Sequence, residues 1–207
     1  MDRMDELIMR YPALAVCRED IRAAYALLVK CFSNGGGLYV CGNGGSAADA
    51  LHIVGELAKS FVLRRELDED FRKRVDDAEL LGNLQGALPA HALAENVALA
   101  TAFANDVNAE YVFAQQVYAY ARAGDCVLGI STSGNSKNVL HALAAAKGRK
   151  AITIGLTGGS GGGMKAVCDR CVCVPETETH KIQELHLPVY HSLCLMLEER
   201  FFGAGNK

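Results

Sequence analysis

Two stretches of this chain carry residue types that can hold an anion without a cationic side chain. Val40-Cys41 leads into Gly42-Asn43-Gly44-Gly45-Ser46, and Gly129-Ile130 leads into Ser131-Thr132-Ser133-Gly134-Asn135-Ser136. Each pattern reads as a strand, a turn and a helix start. The first N–H groups of a helix lack partners within it and lie at the positive end of its dipole, so phosphate binds there. Glycine lets the backbone come close, and hydroxyls add donors without bulk. The same residues also build ordinary turns and N-caps. Three hydroxyls in Ser131, Thr132 and Ser133 nevertheless exceed what one cap requires. Neither turn is a G-x-x-x-x-G-K-[ST] loop or a G-x-G-x-x-G fingerprint, which argues against a nucleoside triphosphatase and a dinucleotide cofactor.

A second group could move protons or bind a metal. His52 and Glu56 are four residues apart on the helix expected after the first turn, so they share a face. Near the other end stands Gln183-Glu184-Leu185-His186-Leu187-Pro188-Val189-Tyr190-His191. Imidazole, carboxylate and amide oxygen can ligate zinc or handle protons; a single helical histidine can equally be packed or solvated, and His52 with Glu56 can be a plain i,i+4 contact. Pro188 removes a helical hydrogen bond and crowds the carbonyl of Glu184, favouring a kink. Gln183 and His191 lie about 12 Å apart along a straight helix. One metal taking both from a single chain requires a bend or converging side chains; otherwise the two come from different subunits.

The elements that must position these groups follow from hydropathy. Residues 3–33 have apolar positions at helical spacing, divided near Tyr11-Pro12 and ending at Ser33-Asn34-Gly35. Leu38–Cys41, Asp125–Ile130, Lys150–Leu156 and Cys171–Val174 read as buried strands. Helices are expected over about 46–61, 92–104, 112–121 and 137–147, with a long one over 179–202. The charged stretch 62–83 reads as a solvated helix or loop. Strands alternating with helices predict a parallel sheet covered on both faces. With no linker visible, residues 1–207 are expected as one domain: N-terminal helices over 1–34, then an α/β core with a C-terminal helix over 35–207.

The chain has 207 residues, half of them apolar, and a formal charge of −3. That balance argues against a nucleic-acid binder. No apolar run reaches the roughly 20 residues needed to span a bilayer, and the acidic start does not resemble a secretory leader. The eight cysteines, including the cluster Cys168, Cys171 and Cys173, are therefore expected as reduced structural thiols of a cytoplasmic protein.

The ordered set Cys41 to His52, Glu56-Leu57, Asn105-Asp106, Gly129 to Ser136, Leu156-Thr157-Gly158 and Gln183-Glu184-x-His186 with His191 resembles the phosphoheptose isomerases of the sugar isomerase (SIS) domain class. The two Gly/Ser turns belong to the wider class; His52, Glu56, Gln183 and His191 together narrow it to the heptose branch. The resemblance implies a flavodoxin-like three-layer α/β/α sandwich and a homotetramer with sites between subunits. It implies zinc held by His52, Glu56, Gln183 and His191, with Glu56 as base and His191 as acid. It implies substrate contacts from Asn43, Gly44, Gly45, Ser46, Glu56, Asn105, Asp106, Ser131, Thr132, Ser133, Ser136 and Gln183. Sedoheptulose 7-phosphate would become D-glycero-D-manno-heptose 7-phosphate, a precursor of surface polysaccharide. Two features depart from the pattern: a longer, more charged stretch from Leu63 to Pro89, and Thr179-His180-Lys181 where an Asp-Arg pair is more familiar. Isomerisation of another phosphosugar, or a non-catalytic binding role like that of the replication-initiator-associating proteins, are the competing readings.

Overall fold

The computed structural model describes residues 2–203. Its centre is a sheet of five parallel strands: β1 (Leu38–Cys41), β2 (Ala90–Ala92), β3 (Cys126–Ile130), β4 (Ile152–Gly158) and β5 (Arg170–Val174), in the order β2-β1-β3-β4-β5. This is the flavodoxin-like order, in which the chain changes direction between β1 and β3. Leu38, Val40, Leu128, Ile130, Ile154, Leu156, Val172 and Val174 project into a core covered by α1 (Arg3–Arg10), α2 (Arg18–Ser33), α3 (Gly45–Ala58) and α10 (Thr179–Phe202). The opposite face buries Val127 and Cys171 under α7 (Val112–Tyr120), α8 (Lys137–Gly148) and α9 (Met164–Val167). The expected three layers are present.

Four strands and the long last helix stand where hydropathy places them. Three local features sharpen or correct that reading. A 3-10 turn over Pro12–Cys17 separates the first two helices; proline is favoured at a helix start and costly in the interior. Ala90–Ala92 is an edge strand, not the start of a helix; α6 covers only Val97–Phe103 and passes into a π-helical turn over Ala104–Asn108. The stretch 62–83 forms two short exposed helices, α4 (Glu69–Arg74) and α5 (Ala78–Asn83).

One residue of that charged stretch is not solvated. Arg65 is 2% exposed. Its Nε donates to Glu198 Oε1 at 2.8 Å, and its Nη atoms donate to the carbonyls of Leu57 and Glu56, both at 2.7 Å. The guanidinium thus caps the C-terminus of α3, where free carbonyls and the negative end of the dipole favour a cation. Glu198, on α10, also accepts from the N–H groups of Phe61, Val62 and Leu63. Burial pushes the Glu198 carboxyl up, but the three N–H donors and Arg65 outweigh it and hold the group below the ordinary glutamate range.

Breaking a buried ion pair on one side costs about 3–5 kcal/mol, so Arg65→Met should lower the unfolding free energy by that amount in urea titrations. Adding Glu198→Met should not restore it, because three backbone N–H groups then lose their acceptor. A depressed carboxyl adds stability above its unfolded pKa and loses it as pH falls through the folded one. The urea midpoint of the native chain should therefore fall between about pH 4 and more acidic values, and more steeply than that of Glu198→Gln.

Candidate active site

Both Gly/Ser turns lie at the carboxyl ends of β1 and β3, the two strands that flank the reversal of strand order. Ligands of open parallel sheets bind in the crevice at this point. In the first turn Gly44, the N-cap of α3, has φ +56°. A Cβ on Gly42 would meet the carbonyl oxygen of Ser46 at 2.7 Å. In the second turn Gly134 has φ +66°, and a Cβ there would run into the carbonyl of Gly161. Glycine is required at each. Ser131 and Ser136 hydroxyls bond at 2.9 Å across the second turn. Thr132 uses its carbonyl to accept from Gly158 N–H at 3.2 Å, and Ser133 is exposed with Oγ accepting from Asn135 N–H.

The two turns are joined by side chains. Asn43 and Asn138 exchange amide hydrogen bonds, Asn43 Nδ2 to Asn138 Oδ1 at 2.9 Å and Asn138 Nδ2 to Asn43 Oδ1 at 2.8 Å. Asn138 lies one residue inside the start of α8 and escaped the motif reading. Asn105 and Asp106 sit in the π-helical turn, where their side chains bond each other at 2.8 Å and not either Gly/Ser turn. The adjoining segment is fastened to α8 by the Lys137–Glu110 ion pair at 2.9 Å and by Tyr111 stacked on His141, centroids 4.2 Å apart. The turn after the pair, Ala109–Tyr111, therefore stands against the second turn's helix.

Helices α3 and α10 bring the titratable groups together. His52 Nε2 is 3.3 Å from Glu56 Oε1 and 3.4 Å from His191 Nε2. Glu56 is shielded, its side chain 12% exposed, and its second oxygen pairs with Lys59 at 3.2 Å. Phe61 lies against the His191 ring, centroids 5.4 Å apart. Burial and the neighbouring His52 push the His191 imidazole below its ordinary value, against the opposing pull of Glu56. Gln183, two turns earlier on α10, is elsewhere. A Cβ on Gly45 would stand 2.5 Å from its Nε2, so the amide rests on the first residue of α3. His186 is a core residue, fully buried, and burial pushes its imidazole down to about 4.

Zinc, expected at His52, Glu56, Gln183 and His191, can be tested against this geometry. Two donors about 2.0–2.1 Å from a tetrahedral centre stand about 3.3–3.4 Å apart. The His52–Glu56 and His52–His191 separations match that edge. Among the described residues, no three His, Cys, Asp or Glu are closed into a ready metal cluster. The chemistry and two spacings suit a metal at His52, Glu56 and His191; Gln183 of the same chain lies with the first turn instead.

Fold and site define a SIS-domain protein, and the SIS domain description matches residues 13–79 and 86–197. Among curated relatives, phosphoheptose isomerase 2 of Campylobacter jejuni is 40% identical over 185 residues, covering 89% of this chain and 82% of the relative. The Roseiflexus phosphoheptose isomerase is 43% identical over 175 residues, covering 84% and 79%. The solved phosphoheptose isomerase of Neisseria gonorrhoeae superposes with a TM-score of 0.76 at 35% identity, covering 94% of each chain. The chain belongs to the phosphoheptose isomerase family.

The Gly45–Gln183 contact separates binding from folding. A methyl at Gly45 meets only the end of a flexible side chain and improves helix propensity. Gly45→Ala should leave the thermal midpoint within a few degrees of the parent while raising KM for a heptose phosphate severalfold.

Proposed function

We propose that this chain interconverts sedoheptulose 7-phosphate and D-glycero-D-manno-heptose 7-phosphate. The observation that carries this reading is the meeting of Glu56 and His191 around His52, on the helix that begins at an anion-binding turn. Aldose–ketose exchange needs a proton moved between adjacent carbons next to a phosphate anchored at a distance, and the two parts of the site supply those functions.

Helix N-termini at Gly45 and Lys137, with the hydroxyls of Ser46, Ser131, Thr132, Ser133 and Ser136, bind the phosphate. Asn43, Gly44, Asn105, Asp106 and Gln183 contact the sugar. Anchoring the remote phosphate holds C1 and C2 at the reacting groups, so its binding energy goes into orientation. Glu56 takes the C1 proton of the open-chain ketose, giving an enediol, and returns it to C2 to complete the aldose. His191 moves the proton between the C2 and C1 oxygens. Zinc, when held by His52, Glu56 and His191, supplies Lewis-acid stabilisation of negative charge on those oxygens.

The site is completed in a homotetramer. Leu51 on α3 and Leu187 on α10 flank it and are 43% and 41% exposed, while Val107 and Tyr111, both exposed, line a second apolar depression with Phe103 and Ala114. Surfaces of this kind serve association between copies. Light scattering of the purified protein should give four chains; a monomer would overturn the assembly. No helix among the described residues is long and apolar enough to cross a membrane, and the half-buried and buried free thiols suit a cytoplasmic enzyme.

Purified protein should convert sedoheptulose 7-phosphate, and a chelator should lower the rate. A positioned base contributes about 10²–10⁴-fold. Glu56→Gln should therefore lose turnover by that factor while still binding substrate in calorimetry; near-normal turnover removes Glu56 as the base. Ser133→Ala should mainly raise KM.

A further inference from the structure

Tyr190 stands beside the two touching imidazoles of the site, edge-on to His52 with centroids 5.6 Å apart and to His191 with centroids 5.0 Å apart. It is 2% exposed, so its hydroxyl must find its partners within the protein. It has two. The hydroxyl is 3.3 Å from Asp49 Oδ1 and 3.0 Å from His52 Nδ1. Asp49 and His52 are three apart on α3 and share a face, so one hydroxyl from α10 bridges them. The other carboxylate oxygen, Asp49 Oδ2, is buried with no partner among the described residues, which leaves Tyr190 as the hydrogen-bond donor to that carboxylate.

The direction of these bonds fixes the histidine. A carboxylate only accepts, so the Tyr190 proton goes to Asp49. The phenol oxygen is then an acceptor, and His52 must satisfy it with Nδ1–H. A neutral imidazole carries one N–H, so Nε2 is left with its lone pair. That nitrogen faces Glu56 Oε1 at 3.3 Å and His191 Nε2 at 3.4 Å; the Glu56 carboxylate is already paired with Lys59 and is the longer contact, so the buried phenol oxygen at 3.0 Å takes the single ring proton.

We propose that Asp49 and Tyr190 are positioning residues that lock His52 in the Nδ1–H tautomer, presenting the Nε2 lone pair to a divalent metal shared with Glu56 and His191. This rests on the isomerase reading for the use of the metal, though not for the tautomer. Loss of such an outer partner of a metal-bound histidine costs about 10–100-fold in affinity.

The test uses full-length protein stripped of metal. Two-bond proton–nitrogen correlation of the histidine rings, with His52 assigned through His52→Asn, reports the tautomer at neutral pH. Competition with a chromophoric chelator reports zinc affinity. The native chain should show His52 with its proton on Nδ1, and Tyr190→Phe should populate the Nε2–H form and bind zinc 10–100-fold more weakly. Asp49→Asn, which frees the hydroxyl to point either way, should shift both readouts in the same direction by less and keeps the site's volume should Tyr190→Phe unfold. An unchanged tautomer in both variants, or a native chain with its proton on Nε2, overturns the assignment; so does unaltered zinc affinity in both. Neither measurement needs turnover, so a protein that fails to isomerise heptose phosphates would still give a decisive answer.

Discussion

Everything at the site hangs on how two helices from distant parts of the chain are clamped together. The clamp is the buried pair of Arg65 and Glu198, 133 residues apart in sequence. It does not resemble a surface ion pair, whose contribution is small. Arg65 spends its donors on Glu198 and on the open carbonyls of Glu56 and Leu57, and Glu198 spends its acceptors on Arg65 and on the turn that follows α3. The charges are compensated almost entirely by fixed groups of three segments. The backbone of Glu56 is therefore held from behind, while its carboxylate faces His52.

The parallel course of α3 and α10 then sets a ruler along the site. Gln183 lies over Gly45, Tyr190 and His191 lie over Asp49 and His52, and Glu198 lies over the turn at Phe61. The turn at Gly45 and the cluster at His52 stand seven positions apart along α3, about 10 Å. An extended seven-carbon sugar phosphate has a comparable reach. On the proposed reading, anchor and chemistry share one rigid element, with no loop between them whose motion could blur the spacing.

Much of this was readable in the residues, and the failures have physical causes. Strands β1, β3, β4 and β5 are runs of buried apolar residues ended by glycine or polar turns, a strong pattern for a sheet covered on both faces. The edge strand Ala90-His91-Ala92 has neither length nor β-branched side chains, and its alanines suit a helix as well. The pair His52 and Glu56 follows from helical spacing, and His191 joins it because α10 runs unbroken through Pro188. Arg65 is among the side chains the sequence hides: inside a run of charges, composition averages conceal one buried guanidinium. Its partner gave a fainter sign, since Glu198 falls among Cys194, Leu197 and Phe201 on the inward side of α10. Tyr190 carries no signal in the sequence, because an aromatic beside a histidine is ordinarily packing, and only the position of Asp49 gives its hydroxyl a purpose.

The separation of Arg65 from Glu198 also has a meaning in time. A ribosome adding roughly 5–20 residues per second makes the arginine many seconds before the glutamate that neutralises it. Through that interval the guanidinium has no carboxylate to enter the interior with, so the turn after α3 must stay in water. The sheet's first four strands can pair while the nascent chain lengthens. The reactive centre cannot, because its tyrosine, one of its histidines and the glutamate of the clamp all arrive on the last 24-residue helix. Each new copy is therefore silent until α10 has been made.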